Sequence, residues 1–319
     1  MKQMKNRNFY DNCRLCPRTC GVSRSEGNTG ICVVTDTLKV ARAALHMWEE
    51  PCISGTRGSG AVFFSGCSLH CVFCQNESIA QGIAGKEIVP QRLTEIFLEL
   101  QEQGANNINL VTPGQYVPHI IYAVEHARAQ GLTIPVVYNT SGYETVDTLR
   151  MLEGIVDIYL PDFKYMDAAR AAKYSHAPDY PKVAKEALAE MVRQQPAPKF
   201  AWENGKHQEQ PEDACEDAVM TNGVIVRQLL LPGGLFDAKQ IVKYLFETYG
   251  NQIYISMMSQ YTPLLHVSGY PELTRRVRRR AYDRYIDYAI GLGITQAFMQ
   301  EPEVAKESFI PDFSTGEGV

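Results

Sequence analysis

The stretch AVFFSGCSLHCVFCQN (61–76) decides how the chain is read. Its first half, Ala61 to Gly66, is an apolar run too short for a typical helix and rich in Val and Phe, which reads as a buried strand. Gly66 then permits a tight exit from that strand. Directly after it, Cys67, Cys71 and Cys74 follow at C-x3-C-x2-C spacing. A structural zinc takes four ligands and closes its site. Three thiolates leave a metal one open position, and a [4Fe–4S] cube held by three cysteines has one iron without a protein ligand. His70 could be a fourth ligand, so on spacing alone zinc stands beside the cluster.

Working outward, the same strand signature recurs. Apolar runs lie at 107–112, 134–140, 155–162, 223–233 and 252–258, each ending at or just before Gly, Pro, Asn, Asp or Ser. Amphipathic stretches stand between them. PQRLTEIFLELQEQG puts Leu93, Ile96, Phe97 and Leu100 on one face, PHIIYAVEHARAQG behaves alike, and 181–195 forms a third. Six strand–helix alternations predict an α/β fold, either a β/α barrel or an open doubly wound sheet. The polar stretch 196–222 shows no periodicity and is expected to be an exposed insertion, with Cys215 a free thiol among acids. A long helix is expected over 271–291, with RRVRRR (275–280) on a solvated face.

The 319 residues carry a net charge of −5, so nucleic acid is not an expected partner. There is no run of eighteen apolar residues for a membrane span, and the N-terminal stretch lacks the apolar core of a secretory signal. Both point to the cytoplasm. Nine cysteines in a reducing compartment are ligands before they are disulfides. Cys13, Cys16, Cys20 and Cys32 form a complete four-thiolate set, suited to zinc or a second iron–sulfur cluster, and their spacing does not decide between them. Cys52 reads as a buried thiol.

Several words together, CRLCPRTCGVSRSEGNTGIC (13–32), EEPCISGTRGSGAVFFSGCSLHCVFCQN (49–76), DIYLPDFKY (157–165), VIVRQLLLPGG (224–234) and ISMMSQYTP (255–263), resemble the radical S-adenosylmethionine (SAM) superfamily, in the branch related to pyruvate formate-lyase activating enzyme. That resemblance implies a partial (β/α)6 barrel over 59–300, a small cysteine-rich metal-binding extension over 1–58 and a tail over 301–319. It implies a [4Fe–4S] cluster on Cys67, Cys71 and Cys74, with S-adenosyl-L-methionine on the open iron. Reductive cleavage would give a 5′-deoxyadenosyl radical that takes hydrogen from a substrate. The cofactor carries the chemistry while the protein positions and shields it.

Carried over residue by residue, Phe73 would lie against the adenine. Thr112, Gly114 and Gln115 stand where the family binds the methionine amino group, with Gln115 replacing the family's acid. Asn139 and Ser141 would meet ribose and carboxylate. Met257, with Met258 beside it, and Gln260 would flank the adenine. Asp162, Lys164 and Arg227 would lie beside methionine and substrate, although a charge such as Arg227 in an apolar strand could equally be satisfied by a structural acid. The resemblance further implies an electron donor such as flavodoxin or ferredoxin, and a partner protein whose glycine becomes the radical. Modification of a peptide or small molecule is the alternative, and a non-catalytic zinc-binding interaction protein is a distant one.

Overall fold

The computed structural model describes residues 9–203, 211, 213, 217–299 and 311–319. Cys215 and most of 204–216 lie outside the described residues, as do 1–8 and 300–310. The strands are β1 (Lys39–His46), β2 (Ser59–Phe64), β3 (Lys86–Glu87), β4 (Ile108–Val111), β5 (Val136–Thr140), β6 (Ile158–Pro161), β7 (Lys199–Trp202), β8 (Ala218–Leu229), β9 (Tyr254–Met258) and β10 (Ala297–Met299). The helices are α1 (Pro51–Ser54), α2 (Glu77–Ala80), α3 (Pro90–Glu102), α4 (Val117–Ala129), α5 (Val146–Met151), α6 (Ala168–Ser175), α7 (Tyr180–Gln194), α8 (Leu235–Tyr249) and α9 (Arg279–Leu292).

The sheet runs β10-β9-β8-β6-β5-β4-β2-β1-β3. From β2 to β10 every neighbouring pair is parallel, and β1 closes antiparallel onto β2. The six expected strands are β2, β4, β5, β6, β8 and β9, joined by helices as in a partial barrel. The sheet stays open, with β3 and β10 at its edges. β2, β4 and β5 are buried along their whole length, as expected of strands covered on both faces. The helix-facing side packs Leu93, Phe97, Ile120, Val124, Ile241 and Leu245 into the main core.

The concave side is layered. Its floor, at the N-terminal ends of the strands, is a second apolar cluster of Ile53, Val137, Ile158, Phe200, Ile225 and Tyr254. α1 supplies Cys52 and Ile53 to it, so Cys52 is the buried thiol the sequence indicated. Two residues further along the same strands, the inward positions turn polar: Asn139 follows Val137, Arg227 follows Ile225 and Ser256 follows Tyr254. Side chains at i and i+2 share a face, so one strand register builds both the floor and the polar layer above it.

Two expectations are corrected. The 271–291 helix begins only at Arg279; a short 3-10 turn covers Pro271–Leu273. Consecutive arginines repel one another and would crowd the positive end of the helix dipole. Arg275, Arg276, Arg278, Arg279 and Arg280 are all exposed, in keeping with a solvated stretch. The 196–222 insertion is not wholly irregular. Its first part is β7, paired antiparallel with the N-terminal half of β8. Phe200 anchors it edge-on against Tyr254, with ring centroids 5.6 Å apart. Glu203 then turns inward and accepts from the Thr56 and Arg57 amides, Thr56 Oγ1 and Asn106 Nδ2 at 2.7–3.0 Å.

Candidate active site

The C-terminal ends of the strands border a cleft of about 830 Å³, where barrel active sites form. Cys67, Cys71 and Cys74 line it together with Asn139, Asp162, Lys164, Arg227 and Ser256.

The three-cysteine loop leaves β2 through Gly66 at φ +89°, and a Cβ there would stand 2.6 Å from the Cys32 carbonyl. Ser175 Oγ donates to Cys71 Sγ at 3.0 Å, and the Leu69 amide to Cys67 Sγ at 3.4 Å. Burial pushes the Cys74 thiol up to about 12, and the neighbouring Cys67 and Cys71 add to the rise. Burial also raises Cys71, while Lys164 pulls it back. Among the described residues no three His, Cys, Asp or Glu stand together as a group that could hold a metal ion, so a bound metal would have to draw the three cysteines in. The donor set nevertheless has the softness and count that a cubane with one open iron needs.

The polar layer is one hydrogen-bonded network. Arg227 donates Nε to Asp162 Oδ1 at 3.0 Å, Nη1 to Glu49 Oε2 at 3.2 Å and Nη2 to Asn139 Oδ1 at 2.6 Å. Lys164 Nζ meets Asp162 Oδ2 at 2.5 Å. Glu49 Oε1 also accepts from Asn109 at 3.1 Å and Asn139 at 3.3 Å. Burial opposes the Asp162 charge, but Lys164 and Arg227 outweigh it and hold the carboxyl below its ordinary value. Burial likewise opposes the Lys164 charge, and Asp162 more than restores it. Burial dominates at Glu49 and Glu50, raising both against the pull of Arg227. Glu50 and Ser256 line the cleft side by side, and their side-chain hydrogen bond to each other partly offsets the burial of the Glu50 carboxyl.

The structure sorts the remaining candidates. Phe73 lines the cleft edge-on to Tyr261, with centroids 6.4 Å apart, and Ser141 and Gln260 line it too. Thr112, at φ +57°, faces both the cleft and a smaller cavity beside it. Gly114 and Gln115 border only the smaller one. Gln115 spends its amide on the carbonyls of Ser65, Gly66 and Thr112 at 2.8–3.0 Å, bracing the strand exit. Met258 reaches the cleft, whereas the Met257 side chain packs in the core and its carbonyl accepts from Tyr282. Glu49 and Glu50 were not among the residues singled out from sequence. Their only signal was a pair of adjacent acids before a proline, outside every barrel strand.

Strand end, thiolate loop and charged layer thus border one cleft. Residues 61–195 match the Radical SAM superfamily model. The matched stretch begins inside β2 and ends just beyond α7. A protein of Methanocaldococcus jannaschii, "Uncharacterized protein MJ0674", is 26% identical over 291 residues, covering 89% of this chain and 75% of its own. A radical SAM methyltransferase from Sphaerobacter thermophilus aligns with a TM-score of 0.49 at 14% identity, over 77% of this chain and 68% of that one. SuiB of Streptococcus suis, solved with its precursor peptide SuiA, aligns with a TM-score of 0.46 at 11% identity, over 74% of this chain; the alignment spans only 46% of SuiB. No helix among the described residues is long and apolar enough to cross a membrane.

Proposed function

We propose that the chain is a radical SAM enzyme that abstracts hydrogen from a substrate seated over the Asp162–Arg227–Glu49 network. The observation that carries this reading is the placement of Cys67, Cys71 and Cys74 on the same cleft as that buried charged layer. Bound there, a [4Fe–4S] cluster with S-adenosylmethionine would supply a 5′-deoxyadenosyl radical. The protein's own work is positional. Phe73 and Tyr261 wall the cleft against water, Asn139 and Ser141 offer short polar groups at strand ends, and Lys164 and Arg227 hold Asp162 ionised and aimed. Gly114, Gln115 and Met257 then act indirectly, shaping the strand ends behind the ligands.

The cleft lies within the range of a single small-molecule site, about 300–1,000 Å³. Whatever enters beside S-adenosylmethionine is therefore small at its reacting atom. A glycine presented on a loop of a partner protein meets that condition, and the likeness of DIYLPDFKY to activating enzymes favours it. The polar lining that Glu50 and Ser256 add to the cleft favours a second reading, a small polar molecule or peptide side chain. A cytoplasmic flavodoxin or ferredoxin would deliver the electron.

Anaerobic reconstitution tests the chemistry. Reduced protein should show a [4Fe–4S]⁺ EPR signal and release 5′-deoxyadenosine, and Cys71→Ala should lose both. Absence of both from the parent chain would overturn the enzyme reading. A glycyl radical EPR signal on a co-incubated glycyl radical enzyme would separate the two substrates.

A further inference from the structure

The smaller cavity beside the cleft has features that the proposed reaction does not use. It is bordered by Cys13, Cys16, Cys20 and Cys32, and on its inner wall by Glu144. We infer that these four cysteines bind a single divalent thiophilic ion of the zinc class, and that this ion fixes the three-cysteine loop in place. The inference does not depend on the proposed hydrogen abstraction.

Size separates zinc from a second cluster. The cavity offers about 20 Å³, little more than the roughly 10–15 Å³ a single water needs. One ion with sulfur ligands at about 2.3 Å suits that space, whereas a cube of four irons and four sulfides does not. The thiols ring the cavity without standing as a closed group, and a metal that couples binding to folding draws such ligands together.

Charge gives an independent argument. Arg24 is fully buried, yet no carboxylate pairs with it among the described residues. Its guanidinium donates to the carbonyls of Val34, Gln115 and Thr35 and to Cys13 Sγ at 3.8 Å, and Cys32 also acts on its charge. A buried cation left without a counter-charge is strongly destabilising. A divalent ion on four thiolates carries two negative charges, which Arg24 and the cavity-lining Arg18 balance. Glu144, also on the cavity wall, is buried and already bonded to the Thr140 and Tyr138 hydroxyls, so it is no further ligand.

The ion would act on the cleft through short links. Arg18, between Cys16 and Cys20, donates to the carbonyls of Ser68 at 2.9 Å and Ser175 at 3.0 Å. Ser175 in turn holds Cys71. The carbonyl of Ile31, next to Cys32, accepts from His70 Nε2 at 2.6 Å. His70 is thereby occupied as a strut of the loop.

The test is elemental analysis of the full chain carrying Cys67→Ala, Cys71→Ala and Cys74→Ala together, purified without oxygen from cells supplied with zinc and iron. Stoichiometric zinc without iron is expected. Iron with sulfide, or no metal, would overturn the inference. Should that variant aggregate, the parent chain gives the same answer: zinc beside the iron of one cluster supports it, and zinc absent with iron beyond one cluster refutes it. Cys16→Ser should lose the zinc and retain several-fold less cluster iron. Loss of zinc with full iron retention would refute the positioning role. Neither outcome depends on whether 5′-deoxyadenosine is formed.

Discussion

Arg227→Met cuts the charged layer at its centre, and its cost can be worked from the contacts. Three hydrogen bonds are lost, to Asp162 at 3.0 Å, Glu49 at 3.2 Å and Asn139 at 2.6 Å. Bonds to charged groups contribute about 1.5–3 kcal/mol each, but simple addition overshoots, because the guanidinium's own desolvation disappears with it. Breaking a buried pair from one side costs about 3–5 kcal/mol, mostly through the charge left behind. Asp162 keeps Lys164 at 2.5 Å. Glu49 keeps only the neutral amides of Asn109 and Asn139. The loss should therefore fall at about 3–4 kcal/mol, the lower part of that range, with the stranded Glu49 carboxylate as its main source.

That attribution makes the second step decisive. Glu49→Gln added to Arg227→Met removes the stranded charge, and the double variant should recover about 1–2 kcal/mol of the loss. Urea unfolding followed by fluorescence and circular dichroism measures both, provided the two transitions coincide. A single variant within about 1 kcal/mol of the parent, below the range for one charged hydrogen bond, would refute the reasoning. So would a double variant no more stable than Arg227→Met.

Three further outcomes are expected. Glu203→Ala, behind rather than in the cleft lining, should cost about 3 kcal/mol in urea unfolding, because it strands two backbone amides, a hydroxyl and an amide group of the Thr56–Asn106 region; urea unfolding indistinguishable from the parent would refute it. Gly66→Ala should lower stability by about 1–2 kcal/mol for the left-handed backbone alone, and the clash with the Cys32 carbonyl should reduce iron retention as well; unchanged iron content would exclude that contact. The Asp162–Lys164 pair sets a pH window for metal-free protein. Asp162 has its folded value depressed below 3.8, so its contribution is present above that pH and is lost as pH falls through the lower folded value. Lys164 has its folded value raised above 10.5, so its contribution is present below that pH and is lost as base rises through the higher one. Asp162→Asn should flatten the acid limb of the stability profile, and an unaltered limb would refute the assignment.

The parallel strands were legible because each is a short apolar run between helices whose apolar faces repeat at helical spacing. β1 and β10 were not. β1 lies in the cysteine-rich extension, and β10 is only three residues long, with half-buried or exposed side chains. β7 was hidden for a different reason. KFAW gains its meaning from Tyr254 and from the extended N-terminal half of β8, contacts that no local pattern encodes.

The same distinction runs through the cleft. Asp162 and Lys164 could be read from PDFK because two residues of one strand end announce a shared side. Arg227 stood out as a charge in an apolar strand, and the acids that satisfy it are Asp162 and Glu49. Glu49 could not be paired with it in advance, since 178 residues separate them and neither lies near the other's motif. Sequence shows that a buried charge needs a partner; only the fold shows which one. In this chain the partner enters from the loop before α1, which carries it into the open barrel. The extension before the barrel is thus part of the cleft, supplying Glu49 and Glu50 to its depth and bracing its cysteine loop from outside.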